Sequence, residues 1–213
     1  MAPVQWIPLE SNPDVFNEFI EKLGIKGARC VDVYGFDDEL IEYIPKPHLA
    51  LIFVDEIMQP VYNKLAAEGV KTPEKVFFMK QKDFKCLWNF RSFSFTRSKR
   101  SGSFAEWLRE AKNLSVEERS DSLGNAKALS EAHESVANHG ETDANPPKVE
   151  HHFIAYVNID GTLYEFDSRM DFPRACGPTT QETLIKDAGV FCKDLAAKLN
   201  NPSFSALALV GEE

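Results

Sequence analysis

His151-His152-Phe153-Ile154-Ala155-Tyr156-Val157-Asn158-Ile159-Asp160-Gly161-Thr162-Leu163-Tyr164-Glu165-Phe166-Asp167 is the stretch from which the rest of the chain can be read. Two runs rich in β-branched and aromatic residues flank Asp160-Gly161, the preferred two-residue hairpin turn. With that turn, Ile159 pairs with Thr162, and counting outward Ile154 falls opposite Asp167. His152 lies two residues from Ile154 and so shares the face of Asp167. The two are diagonal neighbours, roughly 7–8 Å apart at the backbone, a gap an imidazole and a carboxylate can close. Such a pair is the base-and-orienter half of a nucleophilic triad, in which the carboxylate fixes the tautomer and stabilises the imidazolium. On spacing alone, a surface hydrogen bond is the commoner reading of such a pair. In this register His151 faces the other way.

Outward from the hairpin, strands and helices mix without strict βαβ alternation, which predicts an α+β fold. Asn12 can cap a helix with Pro13 at its first position and Asp14 at its positive end. Phe16, Phe19, Ile20 and Leu23 share one face, and Gly24 stops it. A short helix is expected over about 37–44, before Pro45 and Pro47. Residues 49–54 form an apolar run short enough for a buried strand. Residues 61–68 read as a polar helix and 75–79 as another strand. Ser115 and Glu118 make a capping box, residues 126–136 suit a helix, and 138–148 are a loop. Leu184, Ala188, Phe191, Leu195 and Leu199 mark one face of a later helix, and 204–210 close the chain as a strand.

The 213 residues, 43% of them hydrophobic, suit one domain spanning 1–213. No apolar run approaches the length of a membrane span and no signal-peptide layout is evident, so a cytoplasmic protein is expected, with the nucleus a second location. The net charge of -9 argues against nucleic acid or an anionic membrane as the main partner. Five scattered histidines and four unspaced cysteines offer no metal site, and no cofactor is expected. Cys30 precedes a strand. Cys192 falls on the core face of its helix. Cys176, in Ala175-Cys176-Gly177, reads as a loop cysteine that only imitates a nucleophile motif. His133 and His139 read as solvated.

Trp6-Ile7-Pro8-Leu9-Glu10-Ser11-Asn12-Pro13, Phe78-Met79-Lys80-Gln81 and the hairpin together resemble the ubiquitin C-terminal hydrolase family, in its small single-domain branch (peptidase C12-like cysteine deubiquitinases). Val31-Asp32-Val33-Tyr34-Gly35 and Ala206-Leu207-Ala208-Leu209 fit as well. The resemblance runs from about residue 5 to residue 210, and the order and spacing of the motifs are specific. It implies a papain-like fold, with a knotted chain around a central antiparallel sheet flanked by helices. It implies hydrolysis at the C-terminal glycine of ubiquitin or a ubiquitin-like protein by a monomeric enzyme. Carried over by position, His152 is the general base, Asp167 orients it, and Gln81 hydrogen-bonds the oxyanion without titrating. The ubiquitin-contacting stretches become Pro8-Leu9-Glu10-Ser11-Asn12-Pro13, then Ala137-Asn138-His139-Gly140-Glu141-Thr142-Asp143-Ala144, and finally Asn201-Pro202-Ser203-Phe204-Ser205-Ala206. The second lies in a crossover loop, about 137–149, that filters substrates by size.

One segment, 82–100, departs from the pattern. After the glutamine the family reads Gln-x-x-x-Asn-Ala-Cys-Gly-Thr, with the cysteine opening a buried helix whose N-terminus lowers the thiol pKa. Here Gln81 is followed by Lys82-Asp83-Phe84-Lys85-Cys86-Leu87-Trp88-Asn89-Phe90. Leu87 stands at the nucleophile position. Cys86 sits one residue early, a slip of about 100° on a helix, and acts as nucleophile only if the local register shifts. Residues 91–100 are then basic within an acidic chain. They mix aromatic and cationic residues as a nucleic-acid patch does, against the chain's charge. The genetic code accounts for them more economically. Read from the second base of the Lys82 codon, the permitted translations include Lys-Ile-Ser-Asn-Ala-Cys-Gly-Thr-Phe-Ala, with the cysteine at the expected distance from Gln81. The glycine is forced by the unique Trp88 codon and the first base of Asn89. Family-like text resumes at Ser101. The alternatives are a frame shift from a sequencing or splice-boundary error, a pseudogene, or ordinary divergence. The functional readings are a thiol hydrolase or, without its thiol, a ubiquitin-binding module.

Overall fold

The computed structural model describes residues 9–56, 76–79, 99–137, 151–167, 170, 172–199 and 204–212, except the side chains of 55, 56, 99, 100, 151, 152 and 199. Helix α1 (Pro13–Lys22) begins as its sequence dictates, with the Asn12 side chain accepting from the Asp14 amide at 2.9 Å. Gly24 ends it at a φ of 72°. A Cβ there would collide with the carbonyl oxygen of Ser101, whose amide donates to the Gly24 carbonyl at 3.0 Å. The helix stop thus doubles as a docking point for a segment far away in sequence. Strands β1 (Ile25–Lys26) and β4 (Lys99–Arg100) pair beside it as a small two-stranded sheet.

The main sheet has six strands, all pairs antiparallel. Its members are β2 (Ala28–Asp32), β3 (His48–Glu56), β5 (His151–Ile159), β6 (Thr162–Phe166), β7 (Arg174–Pro178) and β8 (Ser205–Gly211). Their order is β2-β8-β3-β5-β6-β7. The last strand in sequence therefore lies inside the sheet, which is why Leu207, Ala208 and Leu209 are fully buried. Helices cover both faces. On one side α1, α3 (Gly102–Ala111), α4 (Val116–Gly124) and α5 (Lys127–Ala137) enclose Ile52, Val54, Phe153, Ala155 and Val157. On the other, α2 (Asp38–Ile41) and α6 (Leu184–Leu199) cover Leu51, Phe53, Ile154, Tyr156 and Leu163. Burial on both faces explains why β3 reads as an unbroken apolar run rather than an alternating one. At the edge strand β2, the Asn17 side-chain amide accepts from the Cys30 N–H at 2.6 Å and donates to its carbonyl at 3.1 Å. Both main-chain groups of Cys30 are thereby withdrawn from further pairing.

Several sequence expectations hold in detail. The capping box exists, with the Glu118 amide donating to Ser115 Oγ at 3.3 Å and the Ser115 amide to Glu118 Oε2 at 2.8 Å. Cys192 is buried on the core face of α6. Five expectations require correction. The helix after Asp37 ends at Ile41, and 42–43 form a turn. Residues 76–79 form no strand, although Phe78 and Met79 are buried. The Phe78 carbonyl takes its hydrogen bond from Arg119 Nη1 at 3.2 Å. Cys176 lies in strand β7 rather than in a loop, and Cys30 lies within β2. His133 is not solvated: it is 2% exposed, edge-on to Phe19 at 5.5 Å between centroids. Its position on the inner face of α5 decides this: Leu129, four residues before it, and Val136, three after it, are buried on the same face. The expected helix over 61–68, the loop after Asn138 and His139 lie outside the described residues.

Burial lowers the His133 pKa to about 4. The folded state then binds fewer protons than the unfolded chain between pH 6.5 and about 4, so stability is intact above pH 6.5 and falls as pH drops through that window. Denaturant unfolding at about pH 7 and about pH 4.5 should show wild type losing about 2–3 kcal/mol more than His133→Gln. Equal losses would mean that His133 is not the titrating group.

Candidate active site

The hairpin turn is of the I′ class, with φ of 51° at Asp160 and 81° at Gly161. Asn158 Oδ1 closes it by accepting from the Gly161 amide at 2.9 Å. The ladder then runs from Ile159 opposite Thr162 to Ala155 opposite Phe166. The same count, continued one step past the last paired residues, gives Ile154 opposite Asp167. Asp167 is 1% exposed. Its carbonyl accepts from the Met170 amide at 3.1 Å, which turns the chain back after the strand. On its other side β5 pairs with β3, setting His152 opposite Asp55 and His151 opposite Glu56. Strand alternation assigns position 152 to the face of Ile154 and Tyr156, and position 151 to the opposite one. Position 152 therefore lies opposite Asp55 on β3, two residues along β5 from Ile154. The sequence count missed Asp55, because nothing local links β3 to β5.

A buried cluster lies two residues along the same face. Tyr156, Glu165 and Arg174 occupy facing positions on three adjacent strands. Tyr156 Oη donates to Glu165 Oε2 at 2.7 Å. Arg174 donates from Nε to Oε1 at 3.0 Å and from Nη2 to Oε2. Its guanidinium also lies 5.3 Å from the centre of the Phe191 ring on α6. Glu165 is 5% exposed, so its charge depends on these donors. Burial, then the adjacent carboxylate, pushes the Tyr156 hydroxyl well above its ordinary range, so it stays a donor. A one-residue slip of β6 would break all three bonds and would carry Asp167 to the opposite face from His152. The only sequence sign of this cluster was a glutamate inside Tyr164-Glu165-Phe166.

The other sequence-derived positions divide. Gln81, Cys86, Leu87, Pro8, Asn138 through Ala144, and Asn201 through Ser203 lie outside the described residues. Leu9, Ala137 and Ala206 are buried in the core. Two of the stretches touch each other: Ser11 Oγ and Ser205 Oγ are 2.6 Å apart. Phe204 is half-buried, stacked on Phe36 at 5.5 Å and near Phe53 at 5.6 Å. Burial, then the Glu165 carboxylate, pushes the Cys176 thiol up to about 12, which leaves it protonated at neutral pH and a poor nucleophile. Cys30 is raised too, by burial. Among the described residues no group of three or more His, Cys, Asp or Glu is arranged to hold a metal.

The family described as ubiquitin carboxyl-terminal hydrolase, family 1, matches residues 6–196. The chain belongs to that family. It is 37% identical to a ubiquitin carboxyl-terminal hydrolase of Drosophila melanogaster, covering 98% of each chain. It is 32% identical to the human isozyme L1, covering 97% of this chain and 98% of that one. Its fold resembles the catalytic domain of Trichinella spiralis UCH37, solved bound to ubiquitin vinyl methyl ester, with a TM-score of 0.74 at 20% identity over 98% of this chain and 96% of that one. Members of the family are cysteine peptidases, and this chain's α+β fold is theirs.

If the Glu165 cluster holds the hairpin together, removing its cation is costly. Arg174→Met leaves a buried carboxylate short of its strongest donors and should destabilise by about 3–5 kcal/mol. Urea denaturation measures this. A loss under about 1 kcal/mol, the range of an exposed pair, would mean that the cluster does not hold the register.

Proposed function

We propose that this protein is a deubiquitinating thiol hydrolase that cleaves amide or ester bonds at the C-terminal glycine of ubiquitin or a close relative. The observation that carries the reading is the family match over residues 6–196; the β5–β6 pairing, which ends at Ala155 opposite Phe166, and the burial of Asp167 support the roles given to His152 and Asp167. The ubiquitin vinyl methyl ester bound by a structural relative supports the choice of partner.

In this mechanism His152 takes the proton of the nucleophilic thiol, and the thiolate adds to the carbonyl of the ubiquitin glycine. The oxyanion so formed accepts a hydrogen bond from the Gln81 amide. The imidazolium, held and stabilised by Asp167, returns its proton to the departing amine or alcohol. Water, activated by the same imidazole, then hydrolyses the thioester and regenerates the thiol. Leu87 has no atom that can do this. The proposal therefore includes the frame reading, in which the ten residues from Lys82 to Arg91 stand for Lys-Ile-Ser-Asn-Ala-Cys-Gly-Thr-Phe-Ala. Leu87 at the nucleophile position favours a second reading for the chain as written: a ubiquitin-binding module that cannot cut.

A ubiquitin probe with a thiol-reactive C-terminus separates these. The chain as written should bind ubiquitin without being labelled. The chain carrying the in-frame ten residues should be labelled, and His152→Ala should slow that labelling by on the order of 10²-fold or more. Labelling of the chain as written, abolished by Cys86→Ala, would make Cys86 the nucleophile and refute the frame reading. Absence of both labelling and ubiquitin binding in the two forms would refute the hydrolase.

A further inference from the structure

We propose that Gly189 is a positioning residue for ubiquitin binding: its bare backbone seats Phe36, and Phe36 holds Phe204 in place as an aromatic anchor for the partner. The inference rests on the reading above in which the stretch ending at Phe204-Ser205-Ala206 contacts ubiquitin. Gly189 lies inside α6, where glycine is disfavoured relative to alanine. Space accounts for it. A Cβ built at 189 would stand 2.7 Å from each of Cβ, Cγ and Cδ1 of Phe36. One of these is the Phe36 Cβ itself, which no rotamer moves, so any side chain at 189 displaces the whole residue. Phe36 lies between β2 and α2, in no regular element, yet is 6% exposed. Its main chain is held from the same helix. Lys193 Nζ donates to the Phe36 carbonyl at 3.5 Å and to Asp37 Oδ1 at 2.8 Å. Gly189 and Lys193 are four residues apart and share one face of α6. That face offers Phe36 a gap for its ring and a cation for its carbonyl.

The ring passes this placement on. Phe36 and Phe204 stack with centroids 5.5 Å apart and 16° between their planes. Phe204 also leans on Phe53 of β3, at 5.6 Å, and Phe53 is fully buried. The two residues after Phe204 are tied down as well. Ser205 Oγ lies 2.6 Å from Ser11 Oγ, and the Ala206 carbonyl accepts from the Val33 amide at 2.9 Å. Phe204 itself remains half-buried, so part of its ring is open to a partner. A fixed aromatic ring of this kind offers a large apolar surface and has little conformational freedom left to lose on binding. Its place also fits. Ser205 pairs with Val54 of β3, one residue before the Asp55 that faces His152. The anchor therefore stands at the end of the sheet where the chemistry is proposed.

Ubiquitin titrated into the chain as written, followed by calorimetry, tests this. Phe204→Ala should raise Kd roughly 30-fold or more, as truncation of a central anchor does. Gly189→Ala should raise it about 5–10-fold by displacing Phe36, and Phe36→Leu, which stays apolar but loses the stack, should do the same. In a Phe204→Ala background neither should have any further effect. Equal losses in both backgrounds make Gly189 merely structural and overturn the proposal. Phe204→Ala binding as tightly as the parent overturns it too, and leaves the hydrolase reading to the other contact stretches. If Gly189→Ala does not fold, Phe36→Leu decides. Proton NMR of the free chain checks the seating separately. The Phe204 ring resonances should move in Gly189→Ala while those of Phe166 stay, and unmoved Phe204 resonances overturn the proposal. If neither the chain as written nor the in-frame chain binds ubiquitin, the partner reading fails and the binding role of Gly189 falls with it. The NMR result then still decides whether Gly189 seats the stack.

Discussion

Glu165 is a carboxylate buried in the middle of a sheet, held by a tyrosine from one neighbouring strand and an arginine from the other. Much of the site follows from that arrangement. Burying a charge is tolerable only if its donors are well placed, and these donors are well placed in one register alone. Strand alternation then puts position 152 on the same face as Tyr156 and Glu165. The I′ turn at Asp160 and Gly161 starts the pairing, and the buried carboxylate keeps it from slipping farther down the ladder, near the end where the chemistry is proposed.

The same logic recurs across the molecule wherever the chain leaves regular structure. Cys30, on an edge strand, has its main chain satisfied by the Asn17 amide, and Phe78, outside any strand, by the Arg119 guanidinium. In both places a side chain from a helix replaces a missing strand partner. Such substitutions fix the backbone as firmly as a ladder does and tie it to a particular helix. The helical layer built on α3, α4 and α5 is therefore more than a cover for the sheet. It reaches out to hold Phe77 and Phe78.

Membership of the hydrolase family and the identity of the nucleophile rest on different parts of the chain. The first draws on residues 6–196 and on the six-stranded antiparallel sheet of the described residues. The second draws on ten codons. Cys176, with its thiol held protonated beside Glu165 in β7, does not offer a substitute nucleophile. Cys30 and Cys192 are buried in the two core layers. The described cysteines therefore send the question back to 82–91.

Local chemistry in the sequence determined the hairpin, its turn and its register, the capping of α1 by Asn12, the capping box of α4 and the buried face of α6. Each depends on residues within a few positions of one another, so a linear reading contains the whole interaction. Tertiary structure alone decided what depends on contacts distant in sequence. It set Asp55 opposite His152, brought Ser11 to Ser205, buried His133 against Phe19, and joined Arg119 to Phe78 in place of a strand at 76–79. Glu165 shows the boundary between the two. Its place in the strand was legible, but the need for Arg174 was not, because the cost of its charge arises only once the sheet and α6 have excluded water around it.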